Sequence, residues 1–425
     1  MSSEPMESSL LDRWSQRCTQ TGTAWWLIVW VAMYGVLSAT QLLIWLAALA
    51  SIALLLLTRG SWAKTPGAGA YWILLACFLI PGLLSLPGAA DAERAISTNG
   101  RLLAYGLAGL LFLRLAPTEK QWPTTVTWLT GVLLLWCLDG MVQEWRGVSL
   151  SGYPLFTGLP EGHKVTGSMG LDYGPHLAVL SPLLFEAVRM HGRRLPMLWS
   201  AVPVLVAAVS LSASRYSLFL LLVSTAVFLP LWARALGWRG TLILLAGVIV
   251  GLMVPVLALP HLAERLSLAL GSLSLNPEDY NTGFAFRPEL WRASWTVFLE
   301  NWLNGVGIRG SGLAMEPILA ASLIFPESLQ SQLWHPHLGV LEIAADTGMI
   351  GVAGYLVFLL LVCRTFFRMH TLEQSAGATF LLVAFLALFP FSSALSMYSF
   401  PAGGLAWPAL ALALGGHFRR YQGLR

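Results

Sequence analysis

Four residues in this chain have the type and setting to do chemistry. His335 and His337 open the stretch WHPHLGVLEIAADTGMIG, residues 334–351, where a wet segment passes with helical spacing into an apolar run. Pro336 is expected to start a helix with His337 in its first turn and with Leu341, Ala344 and Gly348 on the same side. The positive end of a helix disfavours imidazolium and keeps the ring neutral, able to accept a proton. Spacing alone does not rank the two histidines, and either also reads as a polar residue of a membrane interface. HPH has no carboxylate at ligand spacing, and residues two apart diverge on a helix, so no metal box is expected there.

The other two are arginines. Arg215 lies in LSASRYS, a connection of only a few residues between two apolar runs. It reads either as a side chain snorkelling to headgroup phosphates or as a holder of an anionic group at the membrane surface. Arg287 sits just before a helix, where free backbone N–H groups and a guanidinium together grip phosphate oxygens. Alone it reads equally well as a solvated loop charge. Paired with Arg215 it points to a pyrophosphate site.

The elements that must position these residues are membrane helices. The 425 residues are 56% hydrophobic and 11% charged, with a mean hydropathy of +0.68, against roughly 25% charged in an ordinary globular domain. The chain is therefore expected to be an all-α integral membrane protein. No basic stripe supports nucleic-acid binding. Cys18, Cys77, Cys137 and Cys363 are scattered without a CxxC pair, so neither a disulfide framework nor a zinc site is expected. The polar, acidic start MSSEPMESSLLDRWSQRC does not resemble a cleaved signal peptide.

About twelve spans are read near 24 to 40, 41 to 57, 70 to 87, 101 to 116, 123 to 142, 175 to 190, 195 to 211, 216 to 232, 241 to 258, 347 to 363, 377 to 396 and 401 to 416. With both termini inside, the inner segments hold 16 of the 25 basic residues and 6 of the 21 acids. That bias fits cytoplasmic termini and places the histidines and Arg215 outside. Two outer segments exceed a turn. Residues 143–174 contain GYPLFTGLPEGHKVTGSMGLDYG, an ordered irregular loop by its Gly, Pro and Tyr content. Residues 260–346 form the larger loop, before the last three spans, and most other connections are too short to build a site.

Within that loop, residues 288–304, PELWRASWTVFLENWLN, place Trp291, Trp295, Phe298 and Trp302 on one side and Glu289, Arg292, Thr296 and Glu300 on the other. This amphipathic helix is expected to start at Pro288, stop at Asn304-Gly305 and lie along the membrane surface on its tryptophan side. Gly305-Val306-Gly307 reads as the helix stop, Asp139 as a polar helix end, and Glu342 and Asp346 as helix-surface carboxylates.

These features resemble the O-antigen ligase family. The likeness rests on the large outer loop before the last three spans, the Ser-Arg hairpin at Arg215, Arg287 before a tryptophan-containing helix, NWLNGVG, and the closing HPHLGVLEIAADTGMIG. His337 takes the family's histidine position, while Leu338 stands where relatives usually carry Asn. The resemblance implies a membrane-embedded glycosyltransferase of GT-C type, inverting and without a metal or other cofactor. It would move O-antigen from undecaprenyl pyrophosphate to the lipid A-core at the periplasmic face of the bacterial inner membrane. His337 would be the base and Arg215 and Arg287 the pyrophosphate binders, with His335 and Arg292 in secondary roles. An O-antigen polymerase or a protein O-oligosaccharyltransferase would use the same kind of donor. A lipid or polysaccharide transporter would need internal repeats or mid-span charges, and neither is visible in the sequence.

Overall fold

The computed structural model describes residues 29–32, 37–58, 60, 64–159, 162–270, 280–281, 283–326, 335–371 and 375–423. Most of the first expected span, near 24 to 40, lies outside the described residues. The protein is an all-α membrane protein with little strand. Its helices are α1 (Leu37–Leu57), α2 (Ala68–Leu84), α3 (Ala92–Leu115), α4 (Trp122–Arg146), α5 (Tyr173–His191), α6 (Ala201–Leu211) and α7 (Arg215–Ala258). There follow α8 (Pro260–Leu270), α9 (Arg287–Glu300), α10 (Ser311–Ala320), α11 (Gly339–Thr371), α12 (Ser375–Ala387) and α13 (Phe400–Gly423). Five described helical stretches are long and apolar enough to cross a membrane: Ala68–Gly88, Ala92–Leu115, Trp122–Arg146, Arg215–Ala258 and Gly339–Met369.

The interior is built around helices buried on every side, in which most side chains are apolar. In α5 every residue from Tyr173 to Val188 is buried. Phe78 of α2 packs edge-on against Phe358 of α11 and Trp407 of α13, with ring centroids 5.2 and 5.3 Å apart. Several buried hydroxyls find carbonyls, since water does not replace them there. The Tyr173 and Tyr355 phenols donate to the Trp136 and Leu388 carbonyls at 2.9 and 2.7 Å.

Two glycines bring distant parts of the chain to one end. At about 1.5 Å per residue α7 is twice a bilayer in length. It bends at Gly237 (φ 77, ψ 168), a conformation open essentially only to glycine. Beyond the bend the helix runs alongside α6, so that Gly240 meets Trp199, Gly247 meets Pro203 and Gly251 meets Pro203 and Val206. The two arms correspond to the spans read at 216 to 232 and 241 to 258, and the bend returns the end of α7 to the level of Arg215.

The second break is Gly348 in α11 (φ 63, ψ −161). It frees amides that pair outside the helix: Met349 N–H donates to the Trp302 carbonyl (2.8 Å) and Ile350 N–H to that of Leu303 (3.2 Å). Val306 N–H donates back to the Ala345 carbonyl at 3.0 Å. The NWLNGVG stretch is thus more than a helix stop, because it docks as backbone on the broken helix. A Cβ on Gly305 would lie 2.4 Å from the Asp346 backbone, and one on Gly348 would lie 2.3 Å from that of Leu303. Gly348→Ala is therefore expected to cost at least about 2 kcal/mol. Thermal unfolding in detergent checks this, and an unchanged midpoint would contradict the docking described.

Several boundaries differ from the sequence reading. The span read at 347 to 363 is the continuation of a helix that starts at Gly339, three residues after the start expected at Pro336, and Gly348 bends it without ending it. The span expected to reach 396 ends at Ala387, before Pro390, which cannot donate to a helical turn. The amphipathic helix ends at Glu300, and its buried residues are Glu289, Leu290, Ala293, Ser294, Val297 and Phe298. Trp295 and Trp302 are exposed. The packed side therefore cuts across the expected stripe: Phe298 is buried and Trp291 half-buried where α9 rests on α10 and α11, while Trp295 and Trp302 are left outward. Residues 143–174 hold a short antiparallel pair, β1 (Phe156–Leu159) and β2 (Gly162–Lys164). Gln143 fastens this loop, donating to the Tyr153 and Pro154 carbonyls and accepting from the amides of Thr166 and Gly167. Asp139 accepts from the Leu150 amide at 2.7 Å, so it orders the same loop from a helix end.

Candidate active site

Arg215 and Arg287 are each the first residue of a helix, α7 and α9. In the hairpin before Arg215, Ala213 takes φ 51 and the Ser214 hydroxyl accepts from the Ser217 amide. This N-cap fixes the direction of the helix start. The Arg215 guanidinium donates to the Gly283 carbonyl, which ties it to the segment leading into α9. Phe286 (φ 55) turns the chain so that Arg287 enters the helix with Pro288 behind it. Burial, and then the neighbouring Arg215 charge, push the Arg287 guanidinium down to about 10, so it remains cationic at neutral pH. Two like charges thus sit side by side at two helix N-termini, and the Arg287 guanidinium has no hydrogen-bond or ion-pair partner among the described residues. That arrangement repels itself until an anion enters, and it suits one with several oxygens.

The histidines stand next to these arginines. His337 is not in the first helical turn, as its spacing suggests. It precedes α11 with φ 51, a left-handed conformation that costs a non-glycine residue about 1–2 kcal/mol. Two hydrogen bonds hold it there. Its Nδ1 is bonded to the Ser393 carbonyl, and its own N–H donates to Nδ1 of His335 at 3.2 Å. The two rings lie 3.8 Å apart, centroid to centroid. A carbonyl only accepts, so the His337 proton resides on Nδ1 and the lone pair of the neutral ring on Nε2. Burial, opposed in part by the Ser393 bond, and then the Arg287 charge push His337 down to about 4. His335 is held well below its ordinary range by burial, then by His337, Arg309 and Arg287. Both rings are therefore neutral at pH 7.

Glu342 and Asp346, read from sequence as surface carboxylates, are 2% and 0% exposed. Glu342 accepts from the Ser396 hydroxyl and the Met397 amide, pinning the turn between α12 and α13 that offers the Ser393 carbonyl. Asp346 accepts from the amides of Arg309 (2.7 Å) and Ser311 (3.0 Å) at the start of α10. One turn of α11 thus fixes both the segment that orients His337 and the segment that carries Arg309.

Arg309 is a residue the sequence reading passed over. It takes φ 61 on a segment docked against α3, where the Ala90 amide donates to the Val306 carbonyl at 2.8 Å and Gly307 abuts Ala89. Burial, then Arg94, lower its affinity for the proton, with a smaller contribution from Arg101. Arg309, Arg94 and Arg101 form a second basic group, and its charge also reaches His335. The available signal was the one used for Arg215: all three are basic residues in segments that the sequence reading places outside, against the charge bias of the chain.

The structure thus brings together Arg215, Arg287, His335 and His337. Arg292 stands apart, because its guanidinium is bonded to Glu289 at 2.9 Å, one turn away on α9. A cavity of about 710 Å³ lined by Glu186, Arg189, Phe228, Arg234 and Phe366 lies elsewhere. Arg234 is 19 residues beyond Arg215 on α7, about 28 Å along the helix. Glu186 and Arg189 in that cavity are bonded to each other at 2.6 Å.

Against known proteins, a family model described as O-antigen ligase matches residues 199–356. The matched stretch runs from α6 to the middle of α11 and contains Arg215, Arg287, Arg309, His335 and His337. No curated protein matches the chain.

Proposed function

We propose that this O-antigen ligase family protein transfers a polysaccharide from undecaprenyl pyrophosphate to a hydroxyl of the lipid A-core at the periplasmic face of the inner membrane. The observation that carries the reading is the pairing of two adjacent guanidiniums at helix N-termini with a neutral histidine whose Nδ1 is held by a carbonyl. A sugar hydroxyl is a poor nucleophile, and Nε2 of His337 accepts its proton as the oxygen attacks the anomeric carbon. The bond from that carbon to the pyrophosphate oxygen breaks, and the electron pair leaves with the pyrophosphate. Arg215, Arg287 and the helix amides beside them stabilise the charge that develops there, which is the work a metal ion does in other transferases. Attack opposite the leaving group in one displacement inverts the anomeric configuration. His335 supports the proton acceptor by fixing the His337 backbone.

Both termini would then be cytoplasmic and the site periplasmic, in keeping with the distribution of basic residues. The second basic group, Arg94, Arg101 and Arg309, suits anionic substituents of the acceptor. Arg309→Ala is expected to raise the acceptor KM about tenfold while leaving the donor KM within about twofold. Steady-state kinetics with each substrate varied in turn check this, and an effect on the donor alone would remove Arg309 from the acceptor side.

The deciding experiment supplies purified protein with one labelled lipid-linked glycan and, separately, lipid A-core, a second lipid-linked glycan and a Ser/Thr peptide. Label on lipid A-core supports the ligase. Label on the glycan or the peptide would make the protein a polymerase or a protein O-oligosaccharyltransferase.

A further inference from the structure

A second group of ligand-type residues lies apart from the arginines and histidines of the active site. Glu144 stands near the end of α4, His163 lies in β2, and His261 is the second residue of α8. One ligand atom from each lies within 4.8 Å of the other two. Nε2 of His163 is 2.9 and 3.1 Å from the two carboxylate oxygens of Glu144, a separation that two ligands of one tetrahedral ion already have. The imidazoles of His163 and His261 are 4.1 Å apart, centroid to centroid, and Nε2 of His261 is buried without a hydrogen-bond partner. One carboxylate thus lies between two imidazoles, and one ring nitrogen has no hydrogen-bond partner among the described residues.

We infer that Glu144, His163 and His261 bind a divalent transition-metal ion, Zn²⁺ by ligand type, that staples the smaller outer loop to the start of the larger one. Two imidazoles and one carboxylate favour Zn²⁺ over Mg²⁺ or Ca²⁺, which take oxygen ligands. The geometry supplies three ligands and leaves a fourth position for water. The need for a staple is physical. Gln143 and Asp139 anchor the chain on either side of the pair β1 and β2, and the pair itself spans only four and three residues, too few to hold together in water unaided. An ion would join this hairpin to two helices that reach the same end of the molecule by different routes. Its work is structural, and the proposed transfer does not pass through it. The ligands are 19 and 98 residues apart along the chain, a spacing that matches no zinc box, so only folding brings them together.

The test uses the full chain purified in detergent, stripped with a chelator, desalted and titrated with Zn²⁺ or Mg²⁺. Metal content by mass spectrometry and the thermal midpoint are read together. The expected result is about one Zn²⁺ per chain with a raised midpoint, no effect of Mg²⁺, and loss of both Zn²⁺ effects in His163→Gln and in His261→Gln. His335→Ala, which removes a histidine from the other cluster, should keep the bound ion. Co²⁺ substitution should give a visible spectrum of tetrahedral nitrogen and oxygen ligation. Where a glutamine variant fails to fold, Glu144→Gln with the same readouts stands in and should weaken binding. No bound ion in the wild type, or an ion retained in the glutamine variants and lost in His335→Ala, would overturn the proposal.

Discussion

His337→Ala is expected to lower kcat about 10²- to 10⁴-fold, the usual contribution of a positioned general base, while the protein stays folded in the membrane. The described bonds of His337, to Ser393 and His335, join residues outside the helices, so their loss leaves the helix packing in place. The pH dependence gives a sharper readout. The free ring is pushed down to about 4, below the ordinary histidine value near 6.5. A base works when unprotonated, so kcat/KM should hold from neutral pH down through 6 and fall only as pH approaches that low value. In stability terms the unfolded chain takes up the proton at higher pH than the folded one. His337 therefore destabilises the fold as pH drops from about 6.5 towards 4 and contributes nothing above that window. Near wild-type activity in His337→Ala, or an acid limb near 6.5, would remove His337 as the base.

The second large effect is expected at the arginines. Arg287→Ala should lower kcat about 10²- to 10³-fold, as loss of a donor to a developing oxyanion does, and Arg215→Ala by a comparable factor. The double variant should cost less than the product of the two, because both act on one leaving group. Arg287 also depresses His337, so Arg287→Ala should move the acid limb of kcat/KM to higher pH. Arg287→Lys separates the two roles. It keeps the charge and so the position of the limb, yet it lacks the planar fork that holds two phosphate oxygens and should recover little of the rate. A lysine variant with full activity would reduce Arg287 to a simple charge. Alanine variants that change neither rate nor limb would move the pyrophosphate elsewhere.

The legible part of the site came from residues that break the rules of their surroundings. Arg215 was visible because a basic residue in a short outer hairpin opposes the charge bias of the chain, and Arg287 because it precedes a recognisable helix start. Arg309 breaks the same bias but lies in a loop without periodicity, where nothing in the sequence says that α3 is its neighbour. The carboxylates were misjudged for a related reason. Spacing places Glu342 and Asp346 on a helix near its outer end, and only the docking of residues 302–311 and of the turn at 390–399 decides that this helix surface is covered.

What the sequence determined by itself was the solvent. Apolar runs of about 20 residues and their flanking charges fix helices in a membrane, because only helices and closed barrels satisfy their own hydrogen bonds there and runs of that length are those of helices rather than strands. The tertiary structure alone decided three things: the left-handed turn at His337, the tautomer set by the Ser393 carbonyl, and the meeting of Glu144, His163 and His261. Each depends on groups far apart in the chain, joined where Gly237 and Gly348 redirect a helix. A helical period predicts which side a residue faces, and it carries no information about which distant carbonyl or side chain will be waiting there.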